Sequence, residues 1–244
     1  MGLAHAVGMP FPDESAPVAV LDYQPQWAVD FEQLARTLRG ALGYHALAVD
    51  HVGSTAVPGL AAKDCVDVQV VVDAIDEDRQ TGLLAAVGFR CRPEPWNRAE
   101  VSGGQHCPKL VFAPPVGARR CNIHLREAGG PNVRFALLFR DYLRADEAAR
   151  QAWGAFKKRL ALSVPGLLDY GQIKAPATQV LMAAAERWAL DSDWKPVSSG
   201  FGVRRVLDPA APPELPYLLH GSRVADIGPG RADPSGPGRP AVAP

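Results

Sequence analysis

His51-Val52-Gly53-Ser54-Thr55-Ala56-Val57-Pro58-Gly59-Leu60, followed closely by Cys65-Val66-Asp67-Val68-Gln69-Val70-Val71-Val72, are the residues on which the fold of this chain turns. Ala46 to Val52 reads as a short strand ended by Gly53, and Cys65 to Val72 as a second strand dense in β-branched residues. Two glycines and a proline bar a long helix between them and leave a turn or a short helical turn. Because successive side chains of a strand point to opposite sides, Val66, Val68 and Val70 share one face and Asp67 and Gln69 the other. Cys121-Asn122-Ile123-His124-Leu125 splits the same way, with Asn122 and His124 opposite the apolar side. If these two strands are neighbours, the four polar side chains converge into a patch able to hold a divalent cation or orient a substrate. On pattern alone a plain solvated face is the commoner outcome. Asp67, a carboxylate set among valines, points past it.

The Gly53-Ser54-Thr55 turn is the second component, since small residues expose backbone N–H groups and two hydroxyls to phosphate oxygens. It is not a Walker A loop, because no Gly-Lys-Ser/Thr follows. Lys63 lies between the turn and Asp67 and is placed to neutralise a phosphate. Further on, Arg140 and Arg144 are four residues apart and share a helix face suited to bidentate recognition of phosphate or carboxylate. Lys157, Lys158 and Lys174 are candidates for a cationic rim, against the common alternative of solvated helical lysines. Trp153 and Trp188 lie in apolar stripes and read as core.

Outward from this centre, apolar spacing predicts helices at Gln26–Leu42, Glu77–Val87, Phe135–Leu143, Asp146–Leu162 and Tyr170–Leu190. Weaker strand candidates are Gly88–Arg92, Lys109–Ala113 and Arg119–Leu125. The pattern is that of an α/β (α+β) domain, a mixed β-sheet with flanking helices and a helical C-terminal part. Residues 1–17 read as a flexible leader, 18–192 as the domain, and 193–244 as a Pro/Gly-rich extension with a disordered end. Within that extension residues 213–219, with the apolar knot Leu215 to Leu219, are a candidate contact with the body or with another subunit. The Pro93–Pro108 segment, with Trp96, Asn97, Gln105 and His106, reads as a loop that sets substrate specificity.

Across 244 residues, 26 basic and 26 acidic side chains cancel, so no global field draws the chain to nucleic acid or anionic membrane. Cys65, Cys91, Cys107 and Cys121 form no C-x-x-C pair, which argues against a zinc ribbon or redox dithiol, and Cys65 and Cys121 read as small core residues. No window approaches the roughly 18 apolar residues of a membrane span, and a cytoplasmic location is expected.

Taken in order, His51 to Leu60, Lys63, Asp67, His124, Phe139-Arg140-Asp141-Tyr142-Leu143-Arg144, Lys157 and Lys174 resemble the GrpB family over roughly Val18 to Leu190. The family is similar in fold to the nucleotidyltransferase superfamily, with a glycine-serine turn after one strand and metal-binding carboxylates on the next. It also occurs fused to dephospho-coenzyme A kinase, whose P-loop this sequence lacks. The resemblance implies a Mg2+-dependent site for a nucleoside triphosphate, taken as ATP. Gly53, Ser54 and Thr55 would contact phosphates with Lys63, Arg140, Arg144 and Lys174, and Asp67, Gln69, Asn122 and His124 would form the reacting centre. Asp67, His51 and His124 are the candidate metal ligands.

One departure weakens the chemistry. Nucleotidyl transfer draws on two carboxylates spaced Asp-x-Asp, and Asp67-Val68-Gln69 supplies one. Three functions are compatible with this pattern. The first is an enzyme activating a small molecule by nucleotidyl transfer or ATP-dependent carboxylate ligation. The second is a degenerate nucleotide- or anion-binding regulatory module. The third is a metal-dependent hydrolase or isomerase.

Overall fold

A computed structural model describes residue 11, residues 17–164 and residues 166–198. Most of the expected leader, and the extension beyond residue 198 with its 213–219 contact, lie outside the described residues. The elements, in order, are α1 (Gln26–Leu42), β1 (Ala48–Val52), β2 (Val66–Val72), α2 (Glu77–Ala85) and β3 (Arg90–Cys91). Then come β4 (Ala99–Ser102), β5 (Gln105–Ala113), β6 (Cys121–Glu127), α3 (Pro131–Ala145), α4 (Glu147–Ser163) and α5 (Leu167–Asp191). The sheet runs β1-β2-β6-β5-β3, with β4 also paired to β5. β2 and β6 are parallel and every other pairing is antiparallel. The expected mixed sheet with flanking helices and a helical C-terminal part is what forms.

One sheet face is apolar because the alternating valines of β2 meet Ile123 and Leu125 of β6 and Leu110 and Phe112 of β5. The apolar stripe of α1, with Trp27, Phe31, Leu38 and Leu42, closes over that face. A second core lies among the C-terminal helices, where Leu138, Trp153 and Met182 pack together with Val57 and Leu60. Those last two residues belong to the loop after β1. The turn that carries Ser54 is therefore pinned on its far side by the helical layer, and both expected core tryptophans, Trp153 and Trp188, pack there.

The structure corrects several sequence readings. Half of the expected loop Pro93–Pro108 is a hairpin of β4 and β5, turned by Gly103 and Gly104 at φ 56° and 74°. Two consecutive positive φ angles suit a two-residue hairpin turn, which the Gly-Gly pair announces. Helix α3 starts at Pro131 rather than Phe135, since proline is preorganised for the first helical position and loses no hydrogen bond there. Helix α5 starts at Leu167 and runs through Pro176. Cys65 is half-buried just ahead of β2, whereas Cys121 is core as expected. Among the described residues no helix is long and apolar enough to cross a membrane.

Leu38 is fully buried where α1 meets the sheet. Leu38→Ala is expected to cost about 3 kcal/mol, read as a lower urea midpoint with an unchanged slope.

Candidate functional site

Parallel pairing of β2 with β6 sets Asp67 beside Asn122 and Gln69 beside His124. Those four side chains therefore gather on one face, as expected for adjacent strands. Asn122 Nδ2 donates to Asp67 Oδ1 at 3.0 Å, and His124 Nε2 stands 3.6 Å from the same oxygen. The turn after β1 closes directly over this carboxylate. Gly53 has φ 68°, and a Cβ there would lie 2.5 Å from Asp67 Oδ2. Only glycine satisfies both the conformation and the space.

Beyond Gly53 the chain makes a single 3-10 turn, Ser54–Ala56. Ser54 Oγ accepts a hydrogen bond from Lys157 Nζ at 2.8 Å, and the same ammonium donates to the Ala61 carbonyl. Lys157 is 3% exposed rather than solvated, and burial, reinforced by the charge of Lys174, pushes its pKa down to about 7. Burial also lowers Lys174, with the charge of Lys63 acting the same way and Asp67 opposing. Lys63 lies over the Tyr170 ring at 5.6 Å. Three lysines from one loop and two helices thus bear on a single carboxylate. Burial alone would raise Asp67, but the hydrogen bonds of His124 and Asn122, and the charges of His124 and Lys63, carry it down to about 2. Burial lowers His124, with Arg126 and Lys109 adding to it against Asp67.

Several expected members of the site stand elsewhere. His51 is on the opposite sheet face, stacked on Phe31 at 4.7 Å, with Nε2 3.0 Å from Thr55 Oγ1. Burial pushes its pKa down to about 4. Strand alternation explains the loss: an odd offset along β1 turns His51 away from the face that carries Asp50. His51 thus does not join Asp67 and His124 as a metal ligand, and it engages the Thr55 hydroxyl instead. Arg140 and Arg144 do share a helix face, but their guanidiniums hold the turn from behind. Arg140 reaches the His51 carbonyl at 3.3 Å and Asp141 Oδ1 at 2.7 Å, while Arg144 donates to the Ala56 carbonyl at 3.0 and 2.7 Å. They hold the Ser54–Ala56 turn through its flanking backbone carbonyls, a placement that helix spacing did not announce.

Other residues escaped the sequence reading. Asp50 pairs across β1 with Gln69, is fully buried, and the Ser198 hydroxyl straddles its oxygens at 2.8 and 2.9 Å. Arg126 continues the alternation of Asn122 and His124 by one more step. Its Nη1 donates to Gln69 Oε1 at 2.8 Å and its Nε to Glu100 Oε1 at 2.8 Å. Burial would raise Glu100, yet Arg126, Lys109 and Asn132 hold it at about 2. Of the expected loop residues, Trp96 is exposed. The hairpin lines the adjacent cleft through Glu100, Val101 and Ser102 instead.

The family model described as "GrpB protein" matches residues 17–184. The chain belongs to the GrpB family. The crystal structure of the conserved protein GrpB from Enterococcus faecalis is similar at TM-score 0.59 and 28% identity, over 70% of this chain and 99% of that one. A UPF0157 protein of Halalkalibacterium halodurans is 35% identical over 150 residues, 60% of this chain and 71% of its own. A dephospho-CoA kinase of Mycolicibacterium paratuberculosis is 33% identical over 199 residues, 74% of this chain and 49% of that protein. The chain thus spans about half the length of that relative. A solved complex of Cid1 with its short product ApU is similar at TM-score 0.38 and 18% identity, too distant a likeness to bear on residue roles.

The donor set of this GrpB chain does not suit a resident metal pair. Among the described residues no group of three or more His, Cys, Asp or Glu side chains is placed to hold a metal ion. Gln69 supplies no second charge, and its oxygen already accepts from Arg126. A single Mg2+ arriving with phosphate ligands does suit Asp67, because Mg2+ keeps most of its shell as water and phosphate oxygen.

Gly53→Ala is expected to destabilise the fold by about 1–3 kcal/mol through strain and the clash with Asp67, as read by chemical denaturation. Lys157 carries a second expectation. Its folded pKa of about 7 lies below the ordinary 10.5, so the unfolded chain binds more protons between those values. Stability therefore rises with pH across that window and is lost as pH falls toward 7. Urea midpoints at pH 7 and pH 9 should show this rise, and Lys157→Met should flatten it.

Proposed function

We propose that this GrpB chain binds the phosphates of a nucleoside triphosphate, taken as ATP with Mg2+, and activates a small molecule by nucleotidyl transfer. One observation carries the reading: Gly53 lies against the Asp67 carboxylate while Ser54, on the next residue, is held by the buried Lys157. A backbone turn, a hydroxyl and three lysines then surround one ionised carboxylate. Cations of that density favour a polyanion, and small-residue turns suit phosphate oxygens. In this arrangement Asp67 and the phosphates would hold Mg2+, which would neutralise charge on the leaving group. Lys63, Lys157 and Lys174 balance the remaining negative charge of the phosphates, and Arg140 and Arg144 keep the turn in shape. An oxygen of the acceptor attacks the α-phosphorus, the bond bridging the α- and β-phosphates breaks, and pyrophosphate leaves.

The alternative is a binding module without transfer chemistry. It is favoured by Gln69, whose oxygen is held by Arg126 where a second acid would stand.

Titration calorimetry of ATP with Mg2+ tests the main reading. The wild type is expected to bind, and Asp67→Ala to bind at least tenfold more weakly, about 1.4 kcal/mol. Absence of binding, or binding untouched by the substitution, removes the assignment. Gln69→Asp separates the two readings: an activity gained marks a module that had lost one acid, whereas loss of existing turnover places Gln69 in a working site.

A further inference from the structure

Next to the Asp67 site lies a cleft of ≈ 500 Å³, floored by Lys109 and Arg126 of the sheet and walled by Lys174 and Thr178 of α5 and Phe135 of α3. Its volume is that of a small-molecule site. Three cations line it against one carboxylate, Glu100. That carboxylate is saturated, with Lys109 Nζ at 3.2 Å, Arg126 Nε at 2.8 Å and Nη2 at 3.4 Å, and Asn132 Nδ2 at 3.0 Å. The lining therefore keeps an excess of positive charge. Lys174 adds to it, since the residue is half-buried and among the described residues forms no ion pair. Lys174 also lies within the field of Asp67, whose charge favours its protonated form.

We infer that this cleft binds the second substrate, a small molecule carrying an anionic oxygen acid, either carboxylate or phosphate monoester, beside an apolar group. Its role as acceptor rests on the transfer reading above; the anion site itself does not. Phe135, Val101 and Ala175 supply apolar wall, and Lys174 stands where the anion and the nucleotide phosphates meet. The acid-base chemistry points the same way. A hydroxyl acceptor would need a base to take its proton, and the Nδ1 of His124 is sealed from solvent without a partner. An anionic oxygen arrives deprotonated. It attacks the α-phosphorus, forms the new P–O bond as the α–β bridge breaks, and releases pyrophosphate with no proton to move.

The test uses the full chain without nucleotide, titrated calorimetrically with phenyl phosphate and with benzoate, and with benzyl alcohol as the neutral control. One or both anions should bind while the alcohol does not, and the better anion identifies the acid. Thr178→Trp, which fills the cleft, should weaken that binding at least tenfold and leave ATP with Mg2+ unaffected. Gln179→Glu, an exposed change at the rim, keeps the test valid if the larger residue disturbs folding, and should weaken anion binding several-fold. The inference is overturned if neither anion binds better than the alcohol, or if both variants bind the anion as the wild type does. Anion binding that survives while nucleotide binding fails would sink the transfer reading and leave the cleft standing.

Discussion

A missing methyl group organises this molecule. Gly53 has no Cβ, and the Asp67 carboxylate occupies the space where one would be, so a turn and a strand approach each other more closely than any other residue permits. Everything around the contact serves to keep it. Val57 and Leu60 anchor the turn in the helical core, Arg144 grips its carbonyl at Ala56, and Lys157 crosses from α4 to hold Ser54. The sheet supplies the other side through Asn122, which fixes the carboxylate from the neighbouring strand.

The electrostatic character of the site follows from burial. An ionised carboxylate is costly to bury alone, and here hydrogen bonds and cations more than offset that cost. The lysines are in the opposite position. Their charges repel one another, burial weakens the hold of Lys157 and Lys174 on a proton, and one carboxylate cannot satisfy three ammoniums. A folded protein retains such imbalance where something else completes the charge, which is why clustered shifts of this kind mark functional sites.

Much of this was legible in the sequence, for identifiable reasons. Period-two alternation in Val66–Val71 and Cys121–Leu125 fixes which side chains share a face, and a strand cannot evade that rule. Hence Asp67, Gln69, Asn122 and His124 were found together. The same rule, carried one residue further back and one further on, would have found Asp50 and Arg126 and rejected His51. Lys157 was legible only as one candidate beside Lys158 and Lys174, because a helical lysine looks alike in sequence whether solvated or buried, and only packing against the turn distinguishes them. Arg140 and Arg144 failed differently: helix spacing places them on one face correctly, yet cannot say that backbone carbonyls wait opposite. The hairpin of β4 and β5 was signalled by Gly103-Gly104 but masked by flanking prolines.

Ser198 and Asp50 are separated by 148 positions, yet the hydroxyl of one straddles the carboxylate of the other. Trp194, tied to Asp141 at 3.2 Å, guides the chain toward that meeting. During synthesis, the first strand of the sheet leaves the ribosome long before its latch exists. At ordinary elongation rates the interval is roughly 7–30 s. Strand β1 must therefore spend that time with a buried-to-be carboxylate still hydrated, and the sheet reaches its final electrostatic state only after translation has passed the end of α5.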